Sequence, residues 1–267
     1  MKYVIFSDID GTFLDRKTYK PGPALEAFRQ CQRVNIPIVF VSAKTRAEIE
    51  PLQHELGNVA PFISENGGGL YIPQKTFACP VGFQDCPPYW RWGSPVTIEE
   101  IRQALMQAAY RTGIEVRGFG DMSTEEVADR TGLTVEKAEL AKCREFDEPY
   151  IIVDEKPGQL DRLKIELAKH GYHFTSGGNL YHIMADFDKG ESVRKLKDIY
   201  LGLCPDVRFI GVGDAFNDLP MLRLVDYPFL VRNLAGDYER AADIPGLTIT
   251  DGIGPEGFCE VVVRFVE

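Results

Sequence analysis

The two ends of this chain share one rhythm, and that rhythm constrains the fold more than any other feature. Tyr3-Val4-Ile5-Phe6, Pro37-Ile38-Val39-Phe40-Val41 and Pro61-Phe62-Ile63-Ser64 are short apolar runs. They are rich in β-branched and aromatic residues, as buried strands are. Between the first two, residues 21–34 repeat Leu25, Phe28, Cys31 and Val34 along one helical face. After the second, Thr45 and Glu48 have the spacing of a capping box. The alternation returns late in the chain. A helix is predicted from Gly190 to about Leu203, a strand over Val207–Gly213, a short helix from Asp218, a strand at Phe229-Leu230-Val231 and a last helix from Gly257. Strands separated by helical patterns predict βαβ units and a parallel sheet.

The middle breaks that rhythm. Pro87-Pro88 and Gly93-Ser94-Pro95 punctuate its entry. Capping pairs Thr97/Glu100 and Ser123/Glu126 start two helices, and residues 134–143 and 159–170 read as two more. Pro149–Val153 reads as a strand, and residues 172–175 and 180–184 flank Ser176-Gly177-Gly178-Asn179 like a hairpin. The expectation is an α/β chain with a Rossmann-like parallel-sheet core formed by residues 1–82 and 187–267. Residues 83–186 would be an inserted α+β domain with its own small sheet, hinged near 83 and 186.

The bulk numbers exclude some roles. The chain has 30 basic and 40 acidic residues, a formal charge of −10. No basic excess exists to neutralise nucleic-acid backbone phosphates. A few local cations would still suffice for a small anionic substrate. No stretch approaches the ~18 apolar residues of a membrane helix. The chain begins almost directly on a strand, without a secretory pattern. The six cysteines form no C-x-x-C pair. A cytoplasmic location with reduced structural thiols is the expectation. Oligomeric state is not readable.

Asp8-Ile9-Asp10-Gly11-Thr12 follows the first strand. In open α/β folds the crevice at the carboxyl ends of the strands is where ligands bind. Two acids so close need a cation or a shared proton. Other strand or helix boundaries add Ser42 and Lys44, Lys189, and Gly213-Asp214-Ala215-Phe216-Asn217-Asp218. These types suit phosphoryl transfer. Carboxylates and a backbone carbonyl suit Mg²⁺, and a lysine and a hydroxyl suit phosphoryl oxygens. Each alone has a plainer reading. Asp218, for instance, would simply cap a helix starting at Leu219.

In order, these motifs resemble the four motifs of the haloacid dehalogenase-like phosphatase superfamily. The position of the insert resembles the subclass with an α/β (C2-type) cap. The resemblance implies Asp8 as nucleophile and metal ligand. Asp10 would be the general acid/base, with its carbonyl on the metal. Ser42 and Lys189 would hold the phosphoryl group and Asp214 a Mg²⁺ ion. Asn217 and Asp218 would orient metal waters and Lys189. Phe13 and Ala215 stand where Leu and Ser are usual and touch no required charge.

A narrower resemblance, to the mannosyl-3-phosphoglycerate phosphatases, lies in Val41–Arg46, Ser64–Gly69, Gly118–Ser123, Lys142–Glu148 and Ser176–His182. It implies a phosphorylated sugar–glycerate substrate, whose carboxylate needs a cation and whose hydroxyls need neutral donors. Lys44, Arg144 and the amides of Gly177, Gly178 and Asn179 are candidates, with Glu65, Asn66 and His182. Plainer roles stand beside them: Arg144 pairing with Glu145 or Glu148, a turn at Asn66-Gly67, a structural His182. Tyr89, Trp90 and Trp92 read as packing rather than as a sugar platform. The core motifs leave open a glucosyl or other sugar phosphate. They also fit a phosphosugar mutase and, without catalysis, a sugar-phosphate sensor.

Overall fold

The structure, a computed structural model, describes residues 2–177, 180–233 and 243–266. The first four strands are β1 (Tyr3–Ser7), β2 (Ile38–Val41), β3 (Phe62–Ser64) and β4 (Gly69–Pro73). Helices α1 (Ala24–Arg33) and α2 (Arg46–Leu56) connect the first three. The predicted capping box of α2 is present, with Thr45 accepting from the Glu48 amide and Glu48 reaching back to the Thr45 amide. Next come β5 (Gln84–Cys86) and β6 (Tyr89–Gly93).

The chain then builds α3 (Ile98–Thr112), β7 (Val116–Gly118), α4 (Thr124–Thr131), α5 (Val135–Lys142), β8 (Asp147–Ile152), α6 (Gln159–Ala168), β9 (His173–Gly177) and β10 (Leu180–Met184). It closes with α7 (Lys189–Leu203), β11 (Arg208–Gly213), α8 (Leu219–Leu222), β12 (Tyr227–Arg232), β13 (Thr248–Ile253) and α9 (Pro255–Val266).

Among the described residues these strands form two sheets. The larger has nine strands in the order β13-β12-β11-β1-β2-β3-β4-β6-β5. From β13 to β3 every pairing is parallel; β4, β6 and β5 add an antiparallel wing. The fold is therefore α/β with a parallel core, as the alternation predicts.

One boundary is corrected. The change of architecture expected at residue 83 comes after Gly93, because β5 and β6 belong to the large sheet. Trp90 and Trp92 point to one face and pack on its core cluster, while Tyr89 packs on the other. Their packing role holds, but inside the large sheet rather than the insert.

That sheet is covered on both faces. One face carries a cluster with Phe28, Phe258 and Val262 from α1 and α9; the other carries Val193, Leu196 and Leu222 from α7 and α8. Phe13 lies fully buried among the rings of Phe28, Phe40 and Phe258, 5.1–5.8 Å away. Burying such a side chain contributes roughly 1.5–3 kcal/mol. It also fixes the loop that follows Asp10.

The smaller sheet is antiparallel, in the order β7-β8-β10-β9. Strand alternation divides its faces. Tyr150, Ile152 and Ile183 pack with Leu105 of α3 and Leu163 of α6. Ile151 and Leu180 lie on the opposite face with Val127 of α4 and Ala138 of α5. His182 shares that second face by parity with Leu180, and this puts it toward the large sheet's strand ends.

Candidate active site

β1, β2 and β11 run parallel and are adjacent, so their carboxyl ends deliver Asp8, Ser42 and Asp214 to one edge. A cleft of about 410 Å³ opens there, lined by Asp8, Asp10, Ser42, Lys44 and Asp214 from the large sheet. Arg130, Arg144 and His182 close it from the side of the small sheet. The Asp10 loop turns at Gly11, whose φ is +92°. A Cβ there would lie 2.5 Å from Asp214 Oδ2, so only glycine lets the loop approach this closely.

Asp8, Asp214 and Asp218 are all buried, each offering a carboxylate oxygen within 4.8 Å of the others. Lys189 Nζ lies 2.6 Å from Asp8 Oδ1 and 2.6 Å from Asp218 Oδ1. Asp188 caps α7 by accepting from the Glu191 amide, and this fixes where Lys189 starts the helix. Burial works against the Lys189 charge, but Asp218 and Asp8 outweigh it and hold its pKa above the ordinary lysine range. Burial, with Asp218 and Asp214 nearby, holds the Asp8 carboxyl well above its usual range despite Lys189. Burial and Asp218 push Asp214 up to about 6. The cluster carries more negative charge than its lysine offsets, which is the setting for a cation.

The two acids of the first motif separate. Asp10 is turned away from the cluster: its Oδ2 lies 3.0 Å from Lys44 Nζ, and Oδ1 has no hydrogen-bond partner among the described residues. Lys44 also pairs with Glu48 Oε1 at 3.2 Å. Burial opposes the Lys44 charge, yet Asp10 and Glu48 raise its pKa above the ordinary value. Ser42 is buried beside them and its Oγ accepts from the Lys44 amide.

The expected simple helix cap at Asp218 is corrected. Its carboxylate makes no side-chain cap to α8. Oδ2 instead accepts from the amides of Asp214 and Ala215, at 3.0 and 2.9 Å, while Oδ1 holds Lys189. Asp218 therefore ties the loop after β11 to α7. Asn217 Nδ2 donates to Asn66 Oδ1 at 2.9 Å and lines the cleft.

Several candidate substrate contacts have other work. Glu65 is fully buried and is not a cleft residue: it accepts from the backbone amides of Glu145, Phe146 and Asp147. Burial pushes it up to about 7 against Arg144 and those donors. Asn66 is also buried, with φ +57°, and donates to Asp147 Oδ2 at 2.8 Å. The turn reading of Asn66-Gly67 is thus met, together with a link between the two sheets. Arg144 pairs with Asp147 and with Glu65 rather than with Glu145 or Glu148, and donates to the Ala43 carbonyl at 3.1 Å.

His182 Nδ1 lies 3.2 Å from Asp147 Oδ2. Burial and the Arg144 charge push His182 down to about 3, so the neutral ring faces the cleft. Gly178 and Asn179 lie outside the described residues.

The sequence profile of haloacid dehalogenase-like hydrolases matches residues 5–78 and 123–251. The chain belongs to the haloacid dehalogenase-like hydrolases. A relative from Methanococcoides burtonii, a glucosyl-3-phosphoglycerate/mannosyl-3-phosphoglycerate phosphatase, is 37% identical and spans 100% of this chain and 98% of its own length. A mannosyl-3-phosphoglycerate phosphatase from Pyrococcus furiosus is 33% identical, covering 91% of this chain and 96% of its own. The fold matches that of a haloacid dehalogenase-like hydrolase from Bacteroides thetaiotaomicron, with TM-score 0.67, 19% identity and 99% of each chain covered. This haloacid dehalogenase-like hydrolase is a phosphoric monoester hydrolase.

Phosphatases of this family generally use Mg²⁺, and the donor set here fits that ion. Asp8 and Asp214 supply hard oxygens, and Asp214 Oδ1 is buried without a hydrogen-bond partner among the described residues. Three contributors escaped the sequence reading. Arg16, in the loop after Asp10, donates to Asp214 Oδ2 at 2.8 Å and to the Asp10 carbonyl at 3.2 Å. Asp147, inside Glu145–Glu148, is the hub for Arg144, Asn66 and His182. Tyr19 lines the cleft. Arg16 had a local signal, a cation six residues beyond Asp10; Asp147 and Tyr19 had none.

Proposed function

We propose that this hydrolase removes the phosphate of mannosyl-3-phosphoglycerate through a phospho-Asp8 intermediate, with glucosyl-3-phosphoglycerate as the second candidate. Residues 94–186 act as the cap that encloses the sugar and glycerate. The observation that carries the chemistry is the division between the two acids. Asp8 sits in the buried cluster with Lys189, while Asp10 lies outside it with one oxygen unpartnered among the described residues.

Asp8 attacks phosphorus, and Asp10 gives its proton to the leaving glycerate oxygen. Asp10 then takes a proton from the water that hydrolyses phospho-Asp8. Lys189 and Ser42 hold the equatorial oxygens as charge spreads over them. Asp8, Asp214 and the Asp10 carbonyl would hold Mg²⁺, which when bound neutralises charge on the transferring group. Lys44, itself held by Glu48, fixes the Asp10 carboxylate through Oδ2. Support for the substrate is the likeness to the archaeal phosphatases, which runs through the cap as well as the core.

The test is phosphate release from mannosyl- and glucosyl-3-phosphoglycerate with Mg²⁺. Wild type should release phosphate from at least one. Asp8→Asn should lose at least about 10⁴-fold, because the nucleophile is gone. Undiminished release by Asp8→Asn sinks the mechanism, and no release by wild type sinks the substrate.

A further inference from the structure

Two hydroxyls of the large-sheet segment reach across the cleft to the ends of two helices of the small-sheet segment. Tyr19 Oη donates to the Thr131 carbonyl, at the end of α4, at 3.2 Å. Thr45 Oγ1 donates to the Leu140 carbonyl, in the last turn of α5, at 2.9 Å. Last-turn carbonyls lack a full set of partners within their own helix and take outside donors. The Leu140 carbonyl also accepts from the Cys143 amide at 3.1 Å, so the Thr45 hydroxyl adds a second donor there, whereas Tyr19 supplies the donor to Thr131 from the opposite wall.

Tyr19 does more than Thr45. Its ring lies under Lys44 Nζ at 5.4 Å and Lys137 Nζ at 5.8 Å, one cation from each side of the cleft. Aromatic faces attract cations at such distances. Lys44 is the residue that holds Asp10 Oδ2. Tyr19 is also held in an uncommon backbone conformation, φ +54°. The turn around it is built to keep it there. Asp15 Oδ1 accepts from Thr18 N and Thr18 Oγ1 at 2.8 Å, and the Tyr19 amide donates to the Asp15 carbonyl at 2.8 Å. A bulky residue with positive φ persists only where its surroundings over-determine it.

We propose that Tyr19 is a positioning residue that couples cap closure to the acid/base site. It bolts the carbonyl end of α4 to the catalytic loop and presses on the lysine that orients Asp10. A substrate large enough to need the closed cleft benefits from the bolt; a small aryl phosphate that engages only the core does not. The substrate arm of the test rests on the phosphatase reading above, whereas the exchange arm does not.

The decisive variant is Tyr19→Phe, which keeps the ring and removes the bolt. On mannosyl-3-phosphoglycerate its kcat should fall about fivefold, the size of one neutral hydrogen bond. On p-nitrophenyl phosphate the fall in kcat should be clearly smaller, so that the ratio of the two kcat values shifts toward the aryl phosphate. Hydrogen exchange of the amides over residues 131–137 should speed up by a similar factor, while that of β1 and β11 stays unchanged. Tyr19→Ala should lose more on the sugar substrate, because the Lys44 platform goes as well. Equal falls on both substrates mean a merely structural role and overturn the proposal. Unchanged exchange over residues 131–137 overturns it too. If wild type hydrolyses only the aryl phosphate, the substrate reading fails while exchange still decides the bolt.

Discussion

Arg16 Nη2 lies 2.8 Å from Asp214 Oδ2, and the same nitrogen reaches the Asp10 carbonyl at 3.2 Å. A guanidinium thus touches two oxygens of the set that would hold Mg²⁺. The Arg16 side chain is half exposed, 50%, so it can swing away into the cleft.

Arg16 and a divalent cation should therefore compete. Arg16→Gln is expected to tighten Mg²⁺ binding about five- to thirtyfold by titration calorimetry, since the ion no longer displaces a partner. Weaker binding in the variant would show Arg16 assisting the ion instead. Binding should also depend on pH in a defined direction. Burial and Asp218 raise Asp214 to about 6, so below that value a proton must leave before the ion enters. Affinity should rise from pH 5 to pH 7, with proton release measurable as a buffer-dependent heat.

Lys189 is the buried counter-ion of two buried carboxylates. Lys189→Met leaves both without it, a change that typically costs about 3–5 kcal/mol. In the variant Asp8, already raised by burial, loses the cation that opposes that rise, so its carboxyl favours protonation when folded, with a pKa above that of the unfolded chain. The folded state then binds more protons, so stability falls as pH rises. Urea unfolding should show a deficit that grows from pH 5 to pH 8 and shrinks when Mg²⁺ is added. A deficit independent of both would mean that the lysine acts through packing alone.

The grouping of Asp8, Ser42, Lys189 and Asp214 at one edge was legible in the sequence because each piece sits at a strand or helix boundary. Asp8, Ser42, Asp214 and Lys189 needed only the alternation of elements to bring them together. The cap half was not. Glu65 and the amides of Glu145–Asp147 are some 80 residues apart, and neither segment shows locally that its charge is used up. Arg144 read as a candidate for a carboxylate because Glu65 meets it only in the fold, and because its near neighbours Glu145 and Glu148 compete on paper with Asp147, three residues on, which is the one that pairs with it. The β5–β6 wing was missed for another reason. Pro87-Pro88 punctuates the segment and Tyr89, Trp90 and Trp92 read as packing of the insert, while the antiparallel wing that pairs them begins at β4, a strand the sequence pattern does not mark.

His182 contributes a loss of stability as pH falls, opposite in sign to the buried carboxyls whose pKa values are raised. Unfolded, it takes up a proton near its ordinary pKa of about 6.5; folded, burial and Arg144 keep it neutral down to about 3. As pH falls through this window the unfolded state gains protons first, so the stability present above pH 6.5 is lost. Between pH 6.5 and 5 the loss from this one group is about 2 kcal/mol. His182→Gln cannot take up that proton, so its unfolding free energy should decline by about that much less. Parallel curves for the two proteins would mean that His182 keeps an ordinary pKa, through Asp147.

Gly67 is where the turn after β3 meets the start of α7. Its φ is +107°, and a Cβ would stand 2.1 Å from the Asp188 carbonyl oxygen and 2.9 Å from the Lys189 nitrogen. Ser192 Oγ also donates to the Gly67 carbonyl, at 2.6 Å, so the contact is anchored from both sides. Gly82 provides the comparison: its φ is +84°, but a Cβ there meets nothing within 4 Å among the described residues. Gly82→Ala carries only the conformational cost, about 1–2 kcal/mol. Gly67→Ala adds a clash with backbone and should cost at least about 2 kcal/mol more. The clash pushes on Asp188 and Lys189, so kcat should fall as well, because Lys189 moves off the Asp8 oxygen. Gly82→Ala should leave kcat unchanged. Equal stability and equal kcat for the two variants would show that the turn relaxes freely and does not hold Lys189 in place.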